Sequence, residues 1–351
     1  MGADNADPEP IFVILKVDWA NLKSHQRGNQ RGSMEGLSAQ NERFRRGLIT
    51  VIRICILCTV VAALVYMVGK SWSQLAATPF RLSEVNYLDW VGAVICYCLA
   101  MFFSSVFWYR VLHAVGQYPS FQRTVFAYFA SQLGKYVPGK AMVVVMRTDI
   151  IRGENVQVGP AAASVFVETL SWIFVGSVIA SALIAIQFGE HSALQATAII
   201  LALIAGFLTW PRNFQWIATK LLEYKGRNSG RFEGLTLQTM AFGWLLMTIG
   251  WCLNGLSLWL VIRGLPGTDI SAGDYSLTLA CVSLATVAGF VSLLPGGLGV
   301  RELVMIPLLG ARFGAANAVI AAIVIRFIWL ASEIISSAII YIVLRISGAR
   351  A

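Results

Sequence analysis

Two short stretches carry the residue types most able to do chemistry, because proline and glycine interrupt apolar sequence beside basic side chains. The first is Gln132-Leu-Gly-Lys-Tyr-Val-Pro138-Gly139-Lys140, with Lys135 inside it and Arg147-x-Asp149 downstream. The second is Phe290-Val-Ser-Leu-Leu-Pro295-Gly296-Gly297-Leu-Gly299-Val-Arg301-Glu302. Proline removes a backbone donor and glycine allows positive φ, so each break can end one half-helix and start another. The N–H groups at the new helix start can face an anion. Lys135, Lys140 and Arg301 flank the breaks with positive charge. The planar fork of Arg301 suits a phosphate, and Glu302 beside it could orient the guanidinium. The plainer readings are an ordinary loop with topogenic charges and a solvated Arg–Glu pair.

A second set of residues places charge inside apolar runs: Arg53, Glu168, Arg326 and Glu333. Insertion scales put a charge at the bilayer centre at roughly 2.5–3.5 kcal/mol, so each needs a partner or a cavity. Glu168 and Arg326 are expected to pair, either as a lock on the bundle or as a site for substrate or proton. Arg53 lies near the start of its run and can snorkel to the interface. Cys55, Cys58, Cys96, Cys98, Cys252 and Cys281 all sit in apolar runs and read as packing residues. His25, His113 and His191 are scattered without metal-ligand spacing. No Gly-x-Ser-x-Gly, phosphate-binding Gly-rich loop or HExxH is present, so neither enzyme activity nor a cofactor is expected.

The elements that hold these residues follow from hydropathy. The chain has 351 residues, 57% of them hydrophobic and 13% charged. Soluble domains carry about a quarter charged residues, so the expected fold class is all-α, a polytopic bundle of membrane helices. Full spans are expected at Leu48–Val68, Leu88–Leu112, Gln157–Phe188, Ala193–Trp210, Leu237–Ile262 and Ala315–Leu344. Phe121–Arg152 and Tyr275–Arg312 are apolar but broken, and read as re-entrant hairpins. Residues 1–46 are polar and rich in Gly, Asn, Gln and Arg, and read as a disordered cytoplasmic segment before a membrane domain over 47–351. They lack the apolar stretch of a signal peptide.

The net charge of +9 serves topology rather than nucleic-acid binding. Arg43, Arg45 and Arg46 precede the first span, and a basic stretch runs from Arg212 to Arg231. The positive-inside rule then places both termini in the cytoplasm of a bacterial inner membrane. Six full spans leave each broken segment entering and leaving on one face, the first from the cytoplasm and the second from outside. The two prolines are 157 residues apart, and at the same offset Trp172 falls on Trp329. Residues 88–188 and 238–345 therefore read as two inverted copies of span, hairpin, span, with Glu168 and Arg326 at nearly equivalent places. Inverted repeats with interrupted helices recur in alternating-access transporters.

Gly134-Lys-Tyr-Val-Pro-Gly-Lys140 and Pro295-Gly-Gly-Leu-Gly-Val-Arg-Glu302 resemble the two signature stretches of the lysylphosphatidylglycerol synthase transmembrane family. The resemblance covers about Leu48–Leu344. It implies a flippase-type membrane domain and, by position, functional roles for Lys135, Pro138, Gly139, Lys140, Pro295, Gly296, Gly297, Gly299, Arg301 and Glu302. The family's two-part members add a soluble aminoacyl-transferase domain. This sequence stops at Ala351, so synthesis of lysyl lipids is not expected of it. The expected function is movement of an anionic phospholipid or polyprenyl-linked glycolipid between leaflets. Two other classes stay open: a non-transporting scaffold for a lipid-synthesis or glycosyltransferase complex, and a membrane-embedded enzyme of unfamiliar geometry. Expected partners are membrane lipids and a lipid-modifying enzyme, with no nucleic acid.

Overall fold

A computed structural model describes residues 82–346, except 137–140, 154–155, 189–191, 224–231, 233 and 293. All of these belong to the compact unit Thr59–Ala351. The expected N-terminal segment, the first span with Arg53, and Pro138, Gly139 and Lys140 lie outside the described residues.

The described chain is helical. α1 is Tyr87–Ala114, α2 Phe121–Gln132, α3 Ala141–Ile150, α4 Val158–Phe188 and α5 Ser192–Thr209. α6 is Pro211–Glu223, α7 Leu237–Arg263, α8 Tyr275–Val291, α9 Val300–Phe313 and α10 Ala315–Ile346. Five of them, counting α8 with its preceding turn as Ala272–Val291, are long and apolar enough to cross a membrane. α5 and α6 add a sixth if the pair, bent by 68° at Trp210-Pro211, counts as one span. Large apolar side chains point outward along the long helices, among them Leu99 of α1, Leu203 and Phe207 of α5, and Ile339 of α10. An apolar exterior on an apolar-rich bundle is the surface a bilayer solvates. The protein is a multi-pass membrane helix bundle.

α1 and α7 form the central antiparallel pair. Asn86 caps α1 by accepting from the Leu88 amide at 3.2 Å, and Thr236 caps α7 by accepting from Thr239 at 3.2 Å. At one end of the pair the Asn86 amide donates to the Gly264 carbonyl at 3.1 Å, and Arg263 bonds Asp89. At the other end a Cβ on Gly234 would come within 2.3 Å of the Ala114 carbonyl oxygen. Between them a Cβ on Gly243 would fall 1.9 Å from the Phe107 ring, and Ser257 donates to the Ala93 carbonyl at 3.0 Å. Lipid gives helices no hydrophobic reason to associate, so small residues and buried hydrogen bonds hold the seam.

Each broken segment is a hairpin, and the two open toward opposite ends of the α1–α7 pair. α2 and α3 form the first. Their feet meet where Arg123 Nε donates to the Ile150 carbonyl at 2.6 Å. This is the Ala114 end, since the Tyr109 and Phe121 rings pack at 5.2 Å and the Gln157 amide bonds the Gln117 side chain at 2.6 Å. α8 and α9 form the second, with feet joined by Arg312 and Asp274 at 2.8 Å. These feet lie at the Arg263 end, where Trp259 donates to the Ser271 carbonyl at 2.9 Å.

The structure adds two features to the sequence expectations. The arms of the first hairpin have 12 and 10 residues, those of the second 17 and 14, so the hairpins are unequal in depth. The basic stretch after Trp210 also starts as a helix, Pro211–Glu223, rather than a loop. Proline at the first helical position suits a helix start, and the apolar residues Phe214 and Ile217 recur at helical spacing among polar ones.

Candidate functional site

The site is built where the two hairpin tips meet. In the first tip, Leu133–Tyr136 tightens into a 3-10 turn that carries Lys135. In the second, Pro295–Gly297 forms another, and Gly296, Gly297 and Gly299 take φ of 57°, 66° and 82°. These values lie in the left-handed region, where side chains with a Cβ are strained, which explains three glycines in five residues. A Cβ on Gly296 would lie 3.0 Å from the Tyr136 ring, so the tips are in direct contact. Arg326 of α10 fastens the second tip. Its guanidinium donates to the carbonyls of Gly296 and Gly297, both at 3.0 Å, and pairs with Glu302 at 2.8 Å.

Beside this joint lies a cavity of about 140 Å³, large enough for several water molecules and so for a small polar headgroup. Lys135, Arg147, Glu168 and Arg301 contribute charge to its wall, and Asn254 an amide. Asn254 is buried, and its carbonyl oxygen has no hydrogen-bond partner. Aromatic rings of the cavity wall are stacked in pairs that follow the inverted arrangement, with Tyr97, Trp172 and Trp329 lining it. Tyr97 of α1 stacks on Trp329 of α10 with centroids 4.7 Å apart and planes at 9°. Trp251 of α7 lies on Trp172 of α4 at 4.2 Å and 30°. In each case the first helix of one half meets the last helix of the other.

Among the described residues the charges resolve into three pairs and one remainder. Arg147 of α3 and Glu168 of α4 bond at 2.6 Å with both side chains 3% exposed. Ser131 accepts from Arg147 Nε at 3.0 Å, and the Tyr128 hydroxyl donates to Glu168 at 3.0 Å. Arg326 pairs with Glu302 as described. Lys135 pairs with Glu333 of α10, whose side chain is fully buried. The Tyr97 hydroxyl donates to the same carboxylate oxygen, while the other oxygen of Glu333 has no partner. Arg301 is the remainder. Its guanidinium stands 5.8 Å from the centre of the Trp329 ring, its Nε is buried without an acceptor, and no carboxylate pairs with it among the described residues. Gly289 and Gly297 leave room for it, since a Cβ on either would come within about 3.1 Å of Arg301 Nε.

Two sequence expectations are corrected here. Glu168 and Arg326 do not form the expected pair. Each lies on the long helix that follows its own hairpin, and each bonds the return arm of that hairpin, with the charges exchanged between the halves. Glu302 does not steer Arg301, because the neighbouring positions 301 and 302 leave α9 in different directions and Glu302 turns to Arg326. Lys135, Pro295, Gly296, Gly297, Gly299, Arg301 and Glu302 all gather at or next to the joint. The partnership of Lys135 with Glu333 and Tyr97, and the open amide of Asn254, escaped the sequence reading. The signal for Asn254 was present, as a lone amide inside the apolar run of α7.

Residues 50–336 match the model of one protein family, described as the lysylphosphatidylglycerol synthase TM region. The chain belongs to that family. No curated protein matches it. A member of the lysylphosphatidylglycerol synthase TM region family has a membrane role connected with lipids, and the cationic cavity of this member sits among its apolar helices.

Proposed function

We propose that this family member moves a lipid with an anionic headgroup between the leaflets of a bacterial inner membrane. Both termini would lie in the cytoplasm, as the basic flanks suggest. The headgroup enters the cavity between the hairpin tips while the tails stay in the bilayer. The role is transport rather than catalysis.

One observation carries this reading. Among the described residues, Arg301 keeps an unpaired charge at a joint where Lys135, Arg147 and Arg326 each have a carboxylate. Arg301 is half-buried on the cavity wall with its Nε shut off from any acceptor, and a charge so placed persists where a ligand completes it. The opposed openings of the hairpins support passage across the joint. Unwound backbone at membrane depth is tolerated only against protein or water, and the second break packs its Gly296 against Tyr136 and its carbonyls on Arg326.

The test is reconstitution. Proteoliposomes with a headgroup-labelled phosphatidylglycerol in both leaflets are exposed to an impermeant quencher. Protein-dependent quenching beyond the outer-leaflet half is expected. Quenching equal to that of protein-free vesicles would overturn the proposal.

A further inference from the structure

We infer that Glu333 sets the charge of the headgroup the cavity accepts, admitting a phosphodiester with one negative charge and rejecting a phosphomonoester with two. The inference rests on the transport reading above and concerns a residue outside the sequence motifs.

Among the described residues, four cations meet at the joint: Lys135, Arg147, Arg301 and Arg326. Three carboxylates face them: Glu168, Glu302 and Glu333. The described residues of the site therefore carry one net positive charge. Two of the pairs are internal to one half of the bundle, each tying a hairpin to the helix after it. Lys135–Glu333 is different, because it joins the tip of the first hairpin to the last helix of the second half. Lys135 lines the cavity and its side chain is 19% exposed, whereas Glu333 is 0% exposed and lies behind it. Glu333 thus cannot touch a headgroup in the cavity. It acts through Lys135, removing a charge that the wall would otherwise offer.

An anion with one charge matches Arg301 and leaves the site neutral. Among the described residues a second charge has no counter-ion unless Lys135 leaves Glu333, and that leaves a buried carboxylate without a cation. In a low-dielectric site such a mismatch outweighs the added attraction. The open carbonyl of Asn254 adds an acceptor for a hydroxyl or amine of the headgroup. The shared chemistry is a phosphate ester, so lipid and soluble sources must be separated by experiment.

The test compares the movement of labelled phosphatidylglycerol and labelled phosphatidic acid of the same chain length at about pH 8. There a phosphomonoester carries close to two charges. Wild type should favour the diester by about tenfold or more, the factor that ~1.4 kcal/mol represents. Glu333→Gln frees the charge of Lys135 and should bring the ratio near one. Lys135→Met combined with Glu333→Gln restores one net charge and should restore the wild-type ratio. This double variant also covers the case in which Glu333→Gln fails to fold. Inorganic phosphate, mainly dianionic at this pH, should not slow the wild type, whereas inhibition by it would overturn the inference. So would equal wild-type rates for the two lipids, an unchanged ratio in Glu333→Gln, or acceptance of phosphatidic acid by the double variant. If the wild type moves neither lipid, the transport reading itself fails.

Discussion

Removing the charge of Glu168 should destabilise the bundle through Arg147 and leave Arg326 unaffected. Arg147 and Glu168 bond at 2.6 Å with both side chains 3% exposed, so each is left nearly buried without its ion partner when the other is lost. Breaking a buried ion pair by removing one partner costs about 3–5 kcal/mol. Glu168→Gln keeps the shape and an acceptor for the Tyr128 hydroxyl, so it isolates the charge. Arg147→Met should cost a similar amount. The double variant leaves no orphaned charge and should recover about 2–3 kcal/mol of the summed losses. A second cycle, Glu168→Gln with Arg326→Met, should be additive within about 0.5 kcal/mol, because the two residues serve different hairpins. Reversible unfolding in mixed detergent micelles, followed by tryptophan fluorescence, measures both cycles. Additive losses at 147 and 168, or strong coupling between 168 and 326, would refute the pairing.

Three further outcomes are expected. Arg326→Lys keeps the charge but loses the fork that reaches Glu302 and the Gly296 and Gly297 carbonyls together. It should cost about 1–3 kcal/mol in the same unfolding assay, and wild-type stability would show that the second tip holds without it. Gly243→Ala drives a methyl into the buried Phe107 ring at the α1–α7 seam and should lose about 1–3 kcal/mol, with an unchanged midpoint counting against that packing. A cysteine in place of Arg227, with the native cysteines removed, should resist an impermeant thiol reagent in intact cells, and labelling from outside would reverse the assigned orientation.

The long helices were legible in the sequence because hydropathy alone marks a membrane span. α1, α4, α7 and α10 begin and end within a few residues of the apolar runs that announce them. The second break was legible for a related reason. Pro295, Gly296 and Gly297 in an apolar segment leave few alternatives to a turn at membrane depth. Partner choice was not legible. Glu168 and Arg326 are equivalent by position, and a near-two-fold arrangement keeps equivalent residues on their own halves unless they lie near its axis. Whether Glu302 meets Arg301 or Arg326 depends on the rotation of α9 against α10, which no spacing in the string encodes. Lys135 and Glu333 are 198 positions apart and come together only because the hairpin tip reaches α10. The basic stretch after Trp210 hid α6, since its charges masked the helical recurrence of Phe214 and Ile217.

On the proposed function, Arg301 is left without an ion pair to take the headgroup. The most direct measurement sets lipid movement against stability for Arg301→Ala and Arg301→Lys in the same proteoliposomes. A half-buried charge without an ion pair among the described residues contributes little to the fold, so Arg301→Ala should unfold no more easily than wild type while its lipid movement falls to the protein-free rate. Arg301→Lys should restore only part of the movement, because a point charge cannot match the planar fork. Wild-type movement by Arg301→Ala would contradict the account.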